Sequence, residues 1–159
     1  MHIRERRAAD LPACVAGLRS VHEADGYPLT WPSDPAAWLS PARLAQAWVA
    51  ELPEAGLAGH VAIQSDAVPD AAAEISRLFV VPTARRRGVA EALMAQAVQW
   101  ARQRRLPLVL EVVDEGRSSA IAFYESHGWQ CTGTTVADWT GPDGSPVKLR
   151  HYRRGVPGC

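Results

Sequence analysis

The stretch that decides the fold is residues 78–101, LFVVPTARRRGVAEALMAQAVQWA. Its first four residues are apolar and rich in β-branched side chains, which predicts a buried strand. Pro82 ends that strand, because proline has no N–H to continue a ladder. After Gly88, apolar residues recur along one helical stripe; they are Leu93, Met94, Ala97, Val98 and Ala101. The order is therefore strand, glycine-bearing turn and helix.

This order of elements is suited to binding an anion. The first amides of a helix have no partner within the helix, and the helix dipole makes that end electropositive. Gly88 lets a phosphate approach the backbone closely, and Arg85, Arg86 and Arg87 add positive charge beside it. From the three arginines alone, a solvated basic turn is the more economical interpretation. The Walker phosphate loop and the dinucleotide G-x-G-x-x-G pattern are both missing from the turn, so neither applies.

Two motifs resemble a known family. The Val-x-Pro segment followed by Arg85-x-x-Gly88-x-Ala90 resembles the acyl-CoA loop of the GNAT superfamily of N-acetyltransferases, written R/Q-x-x-G-x-G/A. Residues 120–129, AIAFYESHGW, resemble the later A-I-x-x-Y-E-x-x-G-F/W block of that superfamily. The resemblance is strong over residues 74–129 and extends to the N-terminal third only in general layout. It implies an enzyme that moves an acetyl group from acetyl-CoA to a primary amine.

The resemblance also implies the fold. We expect an α/β (α+β) domain over residues 1–159, with a mixed, largely antiparallel sheet of six or seven strands. A parallel strand pair splays apart at its centre, about four helices flank it, and residues 155–159 form a loose tail. The sequence patterns predict strands at 2–7, 47–52, 57–64, 74–81, 106–113, 129–138 and 147–152. They predict helices from an Asp10 cap to 24, from an Asp34 or Ser40 cap through Leu44, from the Gly88 turn to 101, and over 118–127.

Composition excludes several classes of protein. The 17 basic and 17 acidic side chains balance to a formal net charge of +0, so nothing attracts the whole molecule to nucleic acid or an anionic membrane. No apolar run approaches the ~20 residues of a membrane span, and the charged N-terminus has no signal-peptide core. Cys14, Cys131 and Cys159 lack the spacing of metal ligands, so no metal is expected. We expect free thiols in a cytoplasmic protein, and a homodimer is left open.

The family resemblance implies how the donor is held. Unpaired backbone groups on the central strand bond the pantetheine arm like an added strand, and an N–H near Val80 donates to the thioester oxygen. The amides at the start of the following helix take the pyrophosphate. The predicted cofactor-binding residues are Leu78, Phe79, Val80, Arg85, Arg86, Arg87, Gly88, Val89, Ala90, Glu91, Arg117 and Ser119. Arg117 stands where many relatives carry Asn, so Ser118 or Ser119 is an alternative for that contact.

Two residues are predicted to be catalytic. Tyr124 matches the tyrosine that protonates the leaving thiolate in many relatives; the alternative is a core tyrosine whose hydroxyl is bonded elsewhere. Glu74 is the candidate general base, placed by strand alternation on the same face as Leu78 and Val80. Its alternative is an ion pair with Arg77 or another arginine. Direct transfer is expected, since neither motif contains a cysteine that would carry an acyl group.

Two further polar strand residues are interpreted as structural. Glu111 lies between Val109 and Val113, which mark its face as packed. His60 is a lone histidine in a strand, and such histidines are more often structural than catalytic.

The acceptor is less well defined. Residues 25–35, DGYPLTWPSDP, contain three prolines and a glycine and therefore form an irregular loop. Asp25, Tyr27 and Trp31 in this loop, together with Trp139 in the last hairpin, are the predicted acceptor contacts. The alternative is that the aromatic side chains fold against the body of the domain. A partly enclosed pocket favours a small-molecule amine over a protein N-terminus or lysine.

Two rival functions follow from the same residues. One is a non-catalytic acyl-CoA-binding domain, which the missing Asn and the undecided base leave open. The other is a nucleic-acid binder that uses the two arginine clusters and whose affinity falls steeply with salt.

Overall fold

Seven strands and four α-helices make up the part of the chain that the computed structural model describes, residues 1–66, 71–114 and 119–154. The strands are β1 (His2–Glu5), β2 (Leu44–Leu52), β3 (Gly56–Gln64), β4 (Ala73–Val80), β5 (Leu108–Val113), β6 (Gln130–Thr140) and β7 (Pro146–Arg154). The helices are α1 (Leu11–Asp25), α2 (Pro35–Trp38), α3 (Val89–Gln103) and α4 (Ser119–Ser126), with 3₁₀ turns at Ala8–Asp10 and Pro82–Ala84. All seven strands join one sheet in the order β1-β2-β3-β4-β5-β7-β6.

The β4–β5 pair is the parallel one in an otherwise antiparallel sheet. Its two strands are paired at Ala73↔Leu108 and Glu74↔Val109 and then diverge. On their other sides β4 pairs with β3, and β5 pairs with β7 over its whole length. The predicted mixed sheet with a central splayed parallel pair and four flanking helices is confirmed.

The helices cover opposite faces of the sheet. Helix α1 packs with residues such as Val49 and Phe79 in one core, and α2 lies against that core through Trp38. Helices α3 and α4 pack on the other face in the larger core, where Tyr124 and Tyr152 are buried. The buried residues of α3 are Val89, Leu93, Met94, Ala97 and Ala101, which is the predicted stripe with Val98 at its margin.

Gly59 on β3 lets the first turns of α3 lie close to the sheet. A Cβ atom at this position would be 2.9 Å from Leu93 Cδ1 and 2.9 Å from the Phe79 carbonyl oxygen. Both are closer than a side chain tolerates, so the missing side chain fixes the distance between α3 and the end of β4.

Two expectations for the N-terminal third were wrong. The short helix starts where predicted, because the Asp34 carboxylate accepts from the Ala37 amide (3.1 Å), but it ends at Trp38. Pro41 disfavours helical backbone in the residue before it, and β2 already begins at Leu44. Asp10 stands at the start of α1 without capping it.

The Asp10 carboxylate is instead engaged on the other side. It accepts from the Arg7 amide (2.6 Å) and binds the Arg4 guanidinium through two 2.8 Å contacts. Strand β1 accordingly ends at Glu5, short of the predicted residue 7. The other predicted elements are present, with ends that differ by a few residues.

Among the described residues, no helix is both long and apolar enough to cross a membrane. The predicted tail, 155–159, lies outside the described residues.

Candidate active site

The turn between β4 and α3 presents unpaired amides to open space. Arg86 and Gly88 both have left-handed backbone, with φ of +64° and +74°. The first bond of α3 runs from the Ala92 amide to the Gly88 carbonyl (3.0 Å), and Gly88 provides no side-chain cap. The amides of residues 89–91 are therefore without a helix partner. A Cβ on Gly88 would meet nothing within 4 Å, so this concave group of amides, the phosphate nest, is open to an anion.

Two of the three arginines at the nest are paired with carboxylates. Arg85 Nη2 lies 2.5 Å from Asp25 Oδ2, and the Arg87 guanidinium binds Glu54 in the β2–β3 turn. Arg86 has no such partner among the described residues. Since the pairs are exposed and worth little, the positive potential of the nest comes mainly from its backbone amides and Arg86.

Backbone groups of β4 face the gap that opens between β4 and β5. The Val81 amide donates to the Ala58 carbonyl on β3 (2.9 Å). Alternation along a strand therefore turns the amides of Leu78 and Val80 the other way, into the gap, while Phe79 faces β3. The Val80 carbonyl already accepts from Arg85 Nε and Nη2, each at 3.1 Å.

A β-bulge at Arg77 sets this alternation. In the β3–β4 register Ala62 pairs with Ser76 and His60 with Phe79, so Arg77 and Leu78 share one partner position. Arg77 has left-handed backbone, with a φ of +55°.

The bulge corrects one expectation from the sequence. Leu78 and Val80 pack on the α3 side of the sheet with Ile75. Because the extra residue shifts the alternation, Glu74 does not share their face, which was wrongly predicted.

His60 holds the bulge from the α1 side. Its Nδ1 lies 2.8 Å from the Arg77 carbonyl, and its Nε2 lies 3.0 Å from Arg6 Nη1. A guanidinium only donates, so Nε2 accepts and the ring proton is on Nδ1, where it bonds the Arg77 carbonyl. The side chain is 0% exposed, and burial lowers its pKa to about 4, so the ring is neutral at pH 7. The structural interpretation of His60 is consistent with this position.

Tyr124 lies on α4 and is buried in the larger core. Its ring is buried beside Tyr152 (6.1 Å between centroids) and Trp129 (6.2 Å). Burial, and secondarily the electrostatic effect of Tyr27, raise the pKa of Tyr124, which keeps its hydroxyl protonated. No hydrogen-bond partner for this hydroxyl is found among the described residues, so the proton it carries is available to a ligand.

Tyr27 is brought close to Tyr124 although 97 residues separate the two in the sequence. Its ring packs edge-on against Trp38 (6.1 Å), and burial raises its pKa to about 12. Tyr27 thus belongs to the core on the α1 side of the sheet.

Glu74 lies at the point where β4 and β5 separate. Its side chain is 24% exposed and lies 3.5 Å from Arg43 Nη1. Burial and then the negative charge of Glu111 raise the pKa of Glu74, while Arg43 opposes the shift. The ion pair expected as an alternative is present with Arg43, 31 residues away in the sequence, rather than with Arg77.

Glu111 lies on an open face of β5, contrary to expectation. Its side chain is 45% exposed, and Glu111 Oε2 lies 3.8 Å from His151 Nδ1. His151 Nε2 lies 2.6 Å from Thr135 Oγ1 on β6. Val109 and Val113 are only half-buried, because α1 packs on β3 and β4 and does not reach this part of the sheet. Sequence reasoning missed this polar row; a charged residue in a continuous apolar strand was its one signal.

The loop between α1 and α2 folds back on the domain. The Trp31 ring lies 5.3 Å from that of His22 and 4.6 Å from the Arg19 guanidinium, both on α1. Asp25 is engaged by Arg85, and Trp139 is 43% exposed on β6. Contact of these residues with an acceptor stays a prediction.

The same loop meets the last hairpin. A Cβ at Gly141 in the β6–β7 turn would lie 3.8 Å from Leu29 Cδ2 and 3.6 Å from Val147 Cγ2. The α1–α2 loop and the β6–β7 turn therefore lie against each other.

Two predicted cofactor contacts are not placed. Arg117 lies outside the described residues, as does Ser118, and only the backbone of Ser119, the first residue of α4, is described.

The model of the acetyltransferase (GNAT) family matches residues 17–129. The chain belongs to the GNAT acetyltransferase family. Members of the family use acetyl-CoA, and the open nest beside the β4–β5 gap fits such a donor in shape and charge. A search of curated protein sequences finds no match.

Several solved structures share the whole fold. The ribosomal-protein-S18-alanine N-acetyltransferase of Escherichia coli has a TM-score of 0.77 at 21% identity, with 99% of this chain and 95% of that chain covered. Arabidopsis thaliana NAA60 in complex with acetyl-CoA has a TM-score of 0.76 at 18% identity, with 99% of each chain covered. A GCN5-related N-acetyltransferase from Kribbella flavida has a TM-score of 0.71 at 23% identity, with 98% and 97% covered. At these identities the likeness concerns the fold.

The buried neutral His60 predicts how stability depends on pH. Its pKa is about 4 in the folded chain and ~6.5 when unfolded, so the unfolded chain binds the proton more readily. The stabilisation is complete above pH 6.5 and is lost as the pH falls toward 4. Between pH 7 and 4.5 the wild type should lose about 2 kcal/mol more free energy of unfolding than His60→Asn, measured in urea. Equal losses in the two proteins would contradict the assignment.

Proposed function

We propose that this GNAT domain transfers an acetyl group from acetyl-CoA to the primary amine of a small molecule, directly and within a ternary complex. The observation that carries the proposal is the gap between β4 and β5, which closes at Glu74 and opens toward the phosphate nest at Gly88. The donor supplies the activated thioester. Everything else is done by residues of this chain.

Backbone groups hold and polarise the donor. The amides at residues 86–91 take the pyrophosphate, and Arg86 adds the nearest unpaired positive charge. The amides of Leu78 and Val80 face the gap, where they donate to carbonyl oxygens of the pantetheine arm and of the thioester. Arg85 covers the Val80 carbonyl and has to move for an amide of the donor to bond there.

Two side chains move protons. The carboxylate of Glu74 accepts a proton from the acceptor ammonium, directly or through water, which leaves the neutral amine that attacks the thioester. Its raised pKa makes it a stronger base than an ordinary carboxylate. The Tyr124 hydroxyl gives its proton to the departing thiolate, because burial keeps it protonated.

The acceptor enters from the α1 side of the sheet. The contact between Leu29 and the turn at Gly141 narrows that side, which supports a small-molecule amine. A peptide α-amine is the second candidate, because the face of β5 and β7 around Glu111 and His151 is open. An amine panel with detection of released thiol tests both. Turnover with small amines and none with peptides supports the first candidate, and the reverse result replaces it with the second.

Gly88→Asp should abolish CoA binding. The new side chain and its negative charge would occupy the space that the pyrophosphate needs, as measured by isothermal titration with CoA. Gly144→Asp is the matched control, because Gly144 also has left-handed backbone (φ +80°) with nothing within 4 Å of a Cβ. Retained affinity in Gly88→Asp would show that the nest is not the pyrophosphate site.

Tyr124→Phe should lower kcat by about 10²-fold and leave the affinity for acetyl-CoA nearly unchanged, since only proton donation is removed. Tyr152→Phe is the control: Tyr152 is buried in the same core, but its hydroxyl donates to Glu125 (2.8 Å). Steady-state kinetics and a binding titration separate the two effects. Unchanged kcat in Tyr124→Phe would remove the general-acid role.

Glu74→Gln should flatten the acidic limb of the rate–pH profile, because the amide has no proton to lose. Glu111→Gln should keep that limb and shift it to lower pH, since the charge that helps raise the pKa of Glu74 is removed. The measurement is kcat/KM as a function of pH for both variants and the wild type. If Glu111→Gln loses the limb and Glu74→Gln keeps it, the base is Glu111.

A further inference from the structure

The bulge at Arg77 decides which backbone groups enter the gap. At the start of β4 the Ala73 amide donates to the Pro107 carbonyl (3.0 Å), so odd-numbered residues there face β5. After the bulge the alternation is reversed, and the backbone groups of the even-numbered Leu78 and Val80 face the β5 side. Without the extra residue, Arg77 and Phe79 would present their backbone groups to the gap instead.

The carbonyl of Arg77 is the group that the bulge has to remove. In an unbroken ladder it would point into the gap beside the place where a thioester oxygen is polarised. Two carbonyl oxygens there repel each other, and the amide donor would be displaced. In the structure the left-handed backbone of Arg77 turns this carbonyl to the α1 side, where His60 Nδ1 bonds it at 2.8 Å.

The imidazole ring that makes this bond is itself fixed. It stacks on Phe79, with ring centroids 5.4 Å apart and planes 12° from parallel. Its other nitrogen accepts from Arg6 Nη1 (3.0 Å), and the same Arg6 nitrogen donates to the Leu39 carbonyl (2.7 Å). A fully buried ring held on three sides positions its single donor far better than a mobile surface group.

The side chain of Arg77 is held separately from its carbonyl group. Its Nε donates to the Trp38 carbonyl (2.9 Å), and its guanidinium lies 4.0 Å from the centre of the Trp38 ring. The strained residue is thus gripped at its carbonyl by His60 and at its side chain by α2. Such over-determination is what keeps a left-handed non-glycine residue in place.

We propose that His60 is a positioning residue for acetyl transfer: its Nδ1–H anchors the Arg77 carbonyl and so aims the Leu78 amide at the acyl carbonyl. The inference rests on the proposed function, because it concerns the same donor site. His60 does not touch the donor; it acts through the backbone of Arg77 and Leu78. It differs from a purely structural histidine in that one ring nitrogen matters to the chemistry and the other to stability alone.

Two isosteric substitutions separate the nitrogens. In His60→Asn the side-chain amide nitrogen replaces Nδ1 and retains the donor to Arg77, whereas His60→Gln replaces Nε2 and loses that donor. We expect His60→Gln to lower kcat by about 10²-fold, as loss of one oxyanion donor does, and His60→Asn to keep kcat within about three-fold. Thermal unfolding monitors the stability of both proteins.

A binding measurement adds a readout that destabilisation does not move. The Leu78 amide contacts the acyl carbonyl, which acetyl-CoA has and CoA lacks. The wild type and His60→Asn should therefore prefer acetyl-CoA, and His60→Gln should lose about 3- to 10-fold of that preference while its affinity for CoA is unchanged. Equal preferences in all three proteins, or equal losses of kcat in the two variants, would overturn the role of His60.

The outcomes distinguish this inference from the proposed function. If the wild type does not bind CoA, the proposed function falls and the role of His60 with it. If CoA binds but the preference for acetyl-CoA does not depend on His60, only the role of His60 falls. Should His60→Gln not fold, the amide proton of Leu78 in the wild type replaces it as the probe. A downfield shift with acetyl-CoA and none with CoA supports the inference, and the same shift with both overturns it.

Discussion

The early separation of β4 from β5 is the constraint on which the site depends. The two strands share two residue pairs, yet β4 pairs with β3 on both sides of the bulge at Arg77, and β5 pairs with β7 over its whole length. The sheet therefore stays intact while part of β4 keeps backbone groups without a strand partner. Buried amides and carbonyls require hydrogen bonds, so a gap of this kind is stable only when solvent or an amide-bearing ligand fills it. The pantetheine arm of the donor has the length and the polar groups to do so.

The position of α3 connects this gap to the phosphate nest. Because Gly59 has no side chain, the first turn of α3, which carries the free amides at 89–91, lies close to the end of β4. The nest binds through backbone geometry more than through side-chain charge. The nest can therefore attract an anion even though Arg85 and Arg87 are paired with Asp25 and Glu54.

The local sequence predicts the strand, turn and helix of the donor site. It does not predict which residues of the strand turn their backbone groups toward the gap. The strand, the turn at Gly88 and the helix follow from composition and spacing, and the family motif added the splayed pair. The sequence gives no sign of the bulge, because the residues around Arg77 are compatible with either alternation of side chains along the strand. The open face at Glu111 depends on how far α1 extends over the sheet, and the partner of Glu74 is Arg43, which lies in the turn before β2. The open face and the ion pair both depend on tertiary packing, which local sequence patterns do not encode.

In the proposed mechanism, the charged groups around Glu74 affect how readily it takes up a proton from the acceptor. Glu74 is partly buried, and Glu111 disfavours its charged form, while Arg43 and, more weakly, Arg77 favour it. A proton taken up by Glu74 therefore relieves repulsion between the two carboxylates, which makes uptake from the ammonium easier. Glu111 is more exposed and lies beside His151, which in turn contacts Thr135 on the outermost strand. Glu74, Glu111, His151 and Thr135 thus form a polar row that crosses β4, β5, β7 and β6 from the closed end of the gap to the outermost strand.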